Sequence, residues 1–182
     1  MPRMRHERLS LGLKKIIFKA MNNSDFIRDI IKLRGNFDIE VAGRSMSPSL
    51  ITGDRVRLIA PRNIDVGCLI AFPGRRSGWP VLHRLININQ EQLLAIGDNG
   101  CVVTSLCPES LIGVVESIWN PETQTWAPIM KNDEAAAIAQ LSAEVAEETN
   151  TTLDYNTENT PLELLLLHRT RVCAKWRESV LH

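Results

Sequence analysis

Short apolar runs separated by turn residues fill the middle of the chain. Each run has the length of an ordinary strand, and glycine, proline, asparagine and aspartate occupy the intervals between them. The pattern predicts six strands, namely Phe37–Ala42, Arg55–Ile59, Cys68–Phe72, Val81–Ile88, Gln92–Ile96 and Leu111–Ile118. Because no helical periodicity lies between these runs, we predict a small, mainly antiparallel β domain over residues 37–130.

Both ends of the chain carry apolar residues at helical spacing instead. In the N-terminal part, two such stretches are predicted, with Asn23 or Ser24 as the cap between them and Gly35 as the stop. In the C-terminal part, residues 133–148 predict one helix, and residues 162–179 predict a leucine-rich helix that begins at a capping box with proline. The predicted organisation is a basic helical extension (1–36), the β domain (37–130) and a helical extension (131–182) with a polar linker near 149–159.

Charge is balanced overall but divided unevenly along the chain. The 182 residues hold 21 Lys+Arg and 21 Asp+Glu, so the net charge is zero. This balance argues against a globally basic nucleic-acid-binding protein, and no nucleic-acid partner is predicted. Residues 1–36 are the most basic part; they fit either a solvated helix face or contact with an anionic membrane surface.

Membrane insertion and secretion are not indicated by the sequence. No stretch approaches the ~18 continuous apolar residues of a membrane span, and Lys14 and Lys15 interrupt the apolar start that a secretory signal would need. We therefore expect a soluble protein of the cytoplasm, with peripheral contact to the membrane left open. The four cysteines form no CxxC pair and no zinc-like spacing with histidine, so reduced thiols, no metal and no cofactor are predicted.

Five short motifs follow one another through the predicted β domain. The first is Gly43-Arg44-Ser45-Met46-Ser47-Pro48-Ser49-Leu50, and Gly53-Asp54-Arg55-Val56 comes shortly after it. The others are Gly67-Cys68-Leu69-Ile70-Ala71-Phe72, Leu82-His83-Arg84-Leu85-Ile86 and Gly97-Asp98-Asn99. An isolated serine between glycine and proline is normally a turn residue, so the weight of the pattern comes from the order of all five motifs.

This series resembles the type I signal peptidases and the superfamily that they share with the LexA-like self-cleaving repressors. The resemblance covers about residues 38–118 and implies a serine peptidase fold with Ser45 as the nucleophile. It assigns the peptide-binding surface to Gly43, Met46 and Pro48, with Met46 packing beside the nucleophile. The implied substrate is a leader or precursor peptide, bound as an extended strand and cut after small residues in an Ala-x-Ala-like sequence.

The fourth motif distinguishes two varieties of this superfamily. Bacterial signal peptidases use a lysine base, whereas His83 here is similar to the histidine of the archaeal and endoplasmic-reticulum enzymes. No lysine lies between Lys32 and Lys131, so the predicted β domain contains no lysine that could act as the base. A neutral imidazole accepts a proton near physiological pH without help. The sequence therefore predicts that His83 is the general base.

A carboxylate hydrogen-bonded to the far imidazole nitrogen would orient such a base, and the resemblance gives this role to Asp98. Two departures from the family pattern are present: Val103 stands where a second aspartate often occurs, and Gly43 stands where some members have a serine that completes the oxyanion hole. The hole would then rest on backbone N–H groups, chiefly that of Ser45.

Each of these residues also has an ordinary structural interpretation. Ser45 and Asp98 are good turn formers, and His83 could be a core histidine of its strand. The alternative to a Ser45–His83–Asp98 peptidase is thus a non-catalytic module that keeps the peptide groove. Self-cleavage of the LexA-like kind is not expected, because the Ala42-Gly43 pair lies too close to Ser45 to reach it as a substrate.

Overall fold

A computed structural model describes residues 23–74, 79–89, 91–100, 102–129, 133–151 and 161–181. Three helices are present in these ranges: α1 (Asn23–Arg34), α2 (Asp133–Thr151) and α3 (Pro161–Leu181). The strands are β1 (Asn36–Glu40), β2 (Arg55–Ile59), β3 (Leu69–Pro73), β4 (Pro80–Ile88), β5 (Leu93–Ile96), β6 (Thr104–Leu106), β7 (Gly113–Asn120) and β8 (Thr125–Pro128). A single 3-10 turn, Pro108–Ser110, joins β6 to β7.

The strands form one sheet in which every described pairing is antiparallel. Their order is β1-β2-β7-β3-β4-β5-β6, and β8 pairs with β7 outside this path. Strand β7 thus pairs with β2, β3 and β8 and ties the two halves of the sheet together. The predicted class, a mainly antiparallel β domain with helical extensions, is confirmed.

The six predicted strands are all present, and β2 has the predicted bounds. The sequence pattern missed β6 and β8, which are three and four residues long. Such short segments carry little periodicity of their own, and they become strands because a neighbouring strand supplies their hydrogen bonds. Strand β8 also ends on Pro128, a residue that is tolerated at the margin of a sheet.

Helices α1 and α3 share a hydrophobic core with the sheet. Ile27 and Ile31 of α1 and Trp176 of α3 are buried together with Leu58 and other residues of the strands. Helix α1 ends as predicted at Gly35, whose φ of 86° suits glycine and whose N–H donates to the carbonyl of Ile31 at 2.8 Å. The helical stretch predicted before Asn23 lies outside the described residues.

Helix α2 is longer than predicted and takes up the start of the predicted linker. It continues to Thr151, and the hydroxyl of Thr149 donates to the carbonyl of Val145 at 2.7 Å. A threonine near a helix end can satisfy a backbone carbonyl in this way, which the polar composition alone did not indicate. The helix thus extends three residues beyond the predicted end at residue 148, and residues 152–160, the rest of the predicted linker, lie outside the described ranges. Among the described helices, none combines the length and the apolar character needed to cross a bilayer.

Candidate functional site

The predicted nucleophile lies on a loop of residues 42–53, which we call the nucleophile loop. Two backbone hydrogen bonds close its base, both of 2.8 Å: Val41 N–H donates to Asp54 O, and Gly53 N–H donates to Val41 O. The positive φ of Gly53, 95°, permits the turn at which the chain enters β2. The loop is therefore a closed excursion between β1 and β2 rather than an open segment.

Within the loop, Ser45 is exposed while its neighbour Met46 is buried. The side chains of Met46 and Leu50 lie in the hydrophobic core and anchor the loop to it. The assignment of Met46 to the peptide-binding surface is therefore wrong, because its side chain is 2% exposed and faces the core. Met46 packs in the hydrophobic core and is the direct neighbour of the exposed Ser45 in the chain.

The other two residues assigned to peptide binding lie nearer to solvent. Gly43 is exposed, and a β-carbon there would meet no atom within 4 Å. Pro48 is half-buried and follows a cis peptide bond. Gly43 thus lies at the accessible surface two residues before Ser45, whereas Pro48 is only partly accessible.

Ser45 packs directly against Gly97 at the end of β5. A β-carbon on Gly97 would lie 2.5 Å from the carbonyl oxygen of Ser45 and 3.1 Å from its β-carbon. The φ of Gly97 is not in the left-handed region, so space rather than backbone conformation requires glycine here. The next turn residue strengthens the contact, since Asn99 N–H donates to Ser45 O at 2.8 Å. The first and fifth motifs are thereby brought together.

Strand register places His83 on the same side of the sheet as Ser45. Arg84 of β4 pairs with Ile96 of β5, so His83 lies opposite Gly97 when the register is continued by one residue. Directly opposed residues share a face, with β-carbons about 5 Å apart. Since the Ser45 β-carbon is 3.1 Å from the β-carbon position of Gly97, it lies within about 8 Å of the His83 β-carbon. A serine hydroxyl and an imidazole can meet across that separation.

Asp98 takes a different partner from the predicted one. Its carboxylate accepts two hydrogen bonds from Arg84, from Nε at 2.8 Å and from Nη2 at 2.7 Å. The same guanidinium donates to Gly67 O at 2.9 Å and lies 5.1 Å from the ring centroid of Trp176. Both side chains of the ion pair are fully buried. Such a pair needs these extra contacts because two charges removed from water are costly.

The predicted hydrogen bond from His83 to Asp98 is absent. The buried Nδ1 of His83 has no hydrogen-bond partner among the described residues. The physical reason is the pleat: successive residues of a strand point to opposite faces. His83 and Gly97 face one side of the sheet, whereas Arg84 and Asp98 face the other. The prediction that Asp98 orients His83 through a direct hydrogen bond is therefore wrong.

Burial controls the protonation of His83. Removal of the imidazole from water lowers the pKa of His83, and the negative charge of Asp98 offsets only part of this effect. The ring also packs edge-on against Phe72, with centroids 5.3 Å apart and planes at 70°. The imidazole is consequently neutral at pH 7, which is the protonation state that a proton acceptor requires.

The sequence did not predict the residues that support the buried side of this site. Arg84 holds the turn of Asp98, and three residues of α3 reach the same region: Arg169, Trp176 and Arg177. One signal was available for Arg84. It is a charged residue at a core-facing position of the apolar strand β4, and such a residue requires a buried partner. The contribution of α3 had no such signal, because its contacts join residues more than 60 positions apart.

The described residues contain no group of three or more His, Cys, Asp or Glu side chains that could hold a metal ion. Cys68, Cys107 and Cys173 are free thiols. Burial raises the pKa of Cys173 to about 11, so this thiol is neutral at physiological pH. The site thus offers a hydroxyl and a neutral imidazole, which suit acyl transfer through a covalent intermediate.

No protein-family model, curated protein or solved structure matches the chain in the three comparisons.

Proposed function

We propose that this chain is a serine endopeptidase in which Ser45 attacks the scissile carbonyl and His83 accepts and later returns the proton. One observation supports the proposal above all: the exposed Ser45 is packed on Gly97, which lies opposite the half-buried, neutral His83 when the Arg84–Ile96 pairing is continued by one residue. A nucleophile and a base within reach of each other, with the nucleophile open to solvent, are the minimum for this chemistry.

Asp98 serves this reaction indirectly. Its ion pair with Arg84 holds the turn from which Asn99 donates to Ser45 O. Its charge also acts on His83 through space and favours the imidazolium that forms during proton transfer. The working unit is thus a Ser45–His83 dyad, and Asp98 supports the turn against which Ser45 packs.

The proposed substrate is an extended leader or precursor peptide with small residues before the cut. The absence of a side chain at Gly43 leaves open space beside the nucleophile for a peptide backbone. The proposed place of action is the cytoplasm or the surface of the membrane. A peptide-library cleavage profile that prefers large or charged residues before the cut would refute this substrate class.

A fluorophosphonate probe tests the nucleophile, because an activated serine attacks its phosphorus and expels fluoride, which leaves the serine phosphonylated irrespective of the peptide substrate. Labelling at pH 7.5 is expected on Ser45 and should be lost in Ser45→Ala and fall at least about 100-fold in His83→Ala. The matched controls are Ser47→Ala in the same loop and the exposed His168→Ala on α3, both of which should label normally.

The alternative, a module that binds a peptide without cutting it, keeps the same groove and predicts a different outcome. It predicts no labelling of Ser45, together with saturable binding of a leader-like peptide by the unmodified protein. Labelling that survives in both Ser45→Ala and His83→Ala would contradict the dyad.

A further inference from the structure

Helix α3 contacts both loops that meet at Ser45. At its C-terminal end, Arg177 donates to the carbonyl of Ser49 at 3.1 Å and, through both Nη atoms, to the carboxylate of Asp54. Ser49 lies in the nucleophile loop and Asp54 closes its base. The forked guanidinium therefore joins the late part of the loop to the start of β2, which a point charge would not do equally well.

Eight residues earlier on the same helix, Arg169 donates to the carbonyl of Gly100 at 2.7 Å. Gly100 ends the turn that begins at Gly97, the residue against which Ser45 packs. Eight helical residues span about 12 Å. A single rigid helix therefore sets the distance between the nucleophile loop and the turn that carries its contact surface.

The helix surface between these two arginines is buried. Cys173 and Trp176 are 0% and 2% exposed, and they lie on the same side of the helix as Arg169 and Arg177, at the spacing of successive turns. Ser49 of the nucleophile loop is itself 0% exposed, and its hydroxyl oxygen accepts from Nη2 of Arg84 at 3.4 Å. The buried side chains Cys173 and Trp176 thus support the contact that Arg177 makes with the nucleophile loop.

From these contacts we infer that Arg177 is a positioning residue for Ser45, so that α3 belongs to the catalytic unit. The inference rests on the proposed function for its catalytic part. Without the guanidinium fork, residues 49–54 lose the hydrogen bonds and the ion pair that join them to Arg177, and the loop can move relative to Gly97. A displacement of about 1 Å at a reacting group costs up to about 100-fold in rate.

Three variants test the inference: Arg177→Met, the conservative Arg177→Lys, and the control Arg171→Met, whose arginine is exposed on the same helix. In Arg177→Met, kcat for a leader-like peptide and the rate of fluorophosphonate labelling should fall about 10- to 100-fold, with a smaller change in KM. The pH profile should keep its shape because His83 is untouched. Arg177→Lys should fall between, since lysine retains the charge without the fork.

Amide hydrogen exchange gives a readout that does not depend on activity. The amides of Gly53 and Asn99, which donate to Val41 O and Ser45 O, should exchange about tenfold faster in Arg177→Met, while amides of β7 stay as in the control. If Arg177→Met is too unstable to measure, Arg177→Lys should show a smaller increase at the same two amides.

The outcomes separate the two proposals. Unchanged exchange at Gly53 and Asn99 in both Arg177 variants would overturn the positioning role, even in an active enzyme. A wild-type protein that neither labels nor cleaves would overturn the proposed function and with it the catalytic part of the inference. If the amides of Gly53 and Asn99 then still exchange faster in the Arg177 variants than in the wild type, the contact with the nucleophile loop remains assigned to Arg177.

Discussion

The substitution Gly97→Ala tests the contact on which the proposed site depends. An alanine β-carbon would lie 2.5 Å from the carbonyl oxygen of Ser45, whereas ordinary contact begins at 3.4 Å. Either the nucleophile loop or the turn must therefore move by about 0.9 Å. The obstructing atoms include backbone of the loop, so a rotamer change cannot relieve the overlap. Overpacking of this kind costs about 1–3 kcal/mol of stability.

The loss of catalysis should be measurable separately from the loss of stability. A displacement near 1 Å at the nucleophile predicts a fall of about 100-fold in fluorophosphonate labelling and in kcat/KM, measured well below the melting temperature of the variant. The matched control is Gly113→Ala in β7, where a β-carbon would lie 2.7 Å from the carbonyl oxygen of Ile59. That variant should lose stability to a similar extent but label normally per folded molecule.

Two results would refute this reasoning. If Gly97→Ala is folded and labels Ser45 at the wild-type rate, the contact does not determine the position of the nucleophile. If Gly113→Ala loses labelling to the same extent, the effect reports general destabilisation and not the geometry of Ser45.

Three further predictions follow from the electrostatics of the site. Because burial lowers the pKa of His83, kcat/KM should rise with pH on a limb centred below 6.5 and be level by about pH 7.5; a limb near 9 that survives His83→Ala would contradict the histidine base. Asp98→Ala leaves the buried Arg84 without its counter-charge and should lower the free energy of unfolding, measured in urea, by about 3–5 kcal/mol. The additional substitution Arg84→Met should recover much of that loss. A double variant no more stable than Asp98→Ala alone would argue against the ion pair. At pH 8, iodoacetamide should modify the exposed Cys107 and spare Cys173, whose pKa burial raises to about 11; equal modification in peptide mapping would contradict the buried environment.

The fold was predictable from local patterns to a large extent. The apolar run of β2 matched its observed bounds, and Gly35 ended α1 as expected, because chain periodicity and a glycine stop act within a few residues. The strands β6 and β8 were not predictable in this way. Their conformation depends on pairing partners elsewhere in the chain, and short segments carry little signal of their own.

The candidate site, too, was predictable from the sequence only in part. The order of motifs along the chain singled out Ser45 and His83, and the structure brings both to the same side of the sheet at Gly97. The order did not reveal that Met46 is buried in the core or that Asp98 points away from His83. A change of one residue in position along a strand reverses the face to which a side chain points, so spacing in a motif does not fix a hydrogen-bond partner.

The sequence by itself thus determined the β class, the approximate positions of six of the eight described strands and the two residues proposed to react, because these follow from short-range periodicity, turn chemistry and motif order. Only the tertiary structure decided that Asp98 pairs with Arg84 and that Arg177 of α3 contacts the nucleophile loop. Those partners are set by sheet register and by the docking of a helix more than 120 residues away in the chain. Such long-range contacts depend on how buried surfaces fit together, and they leave no pattern in the residues next to them.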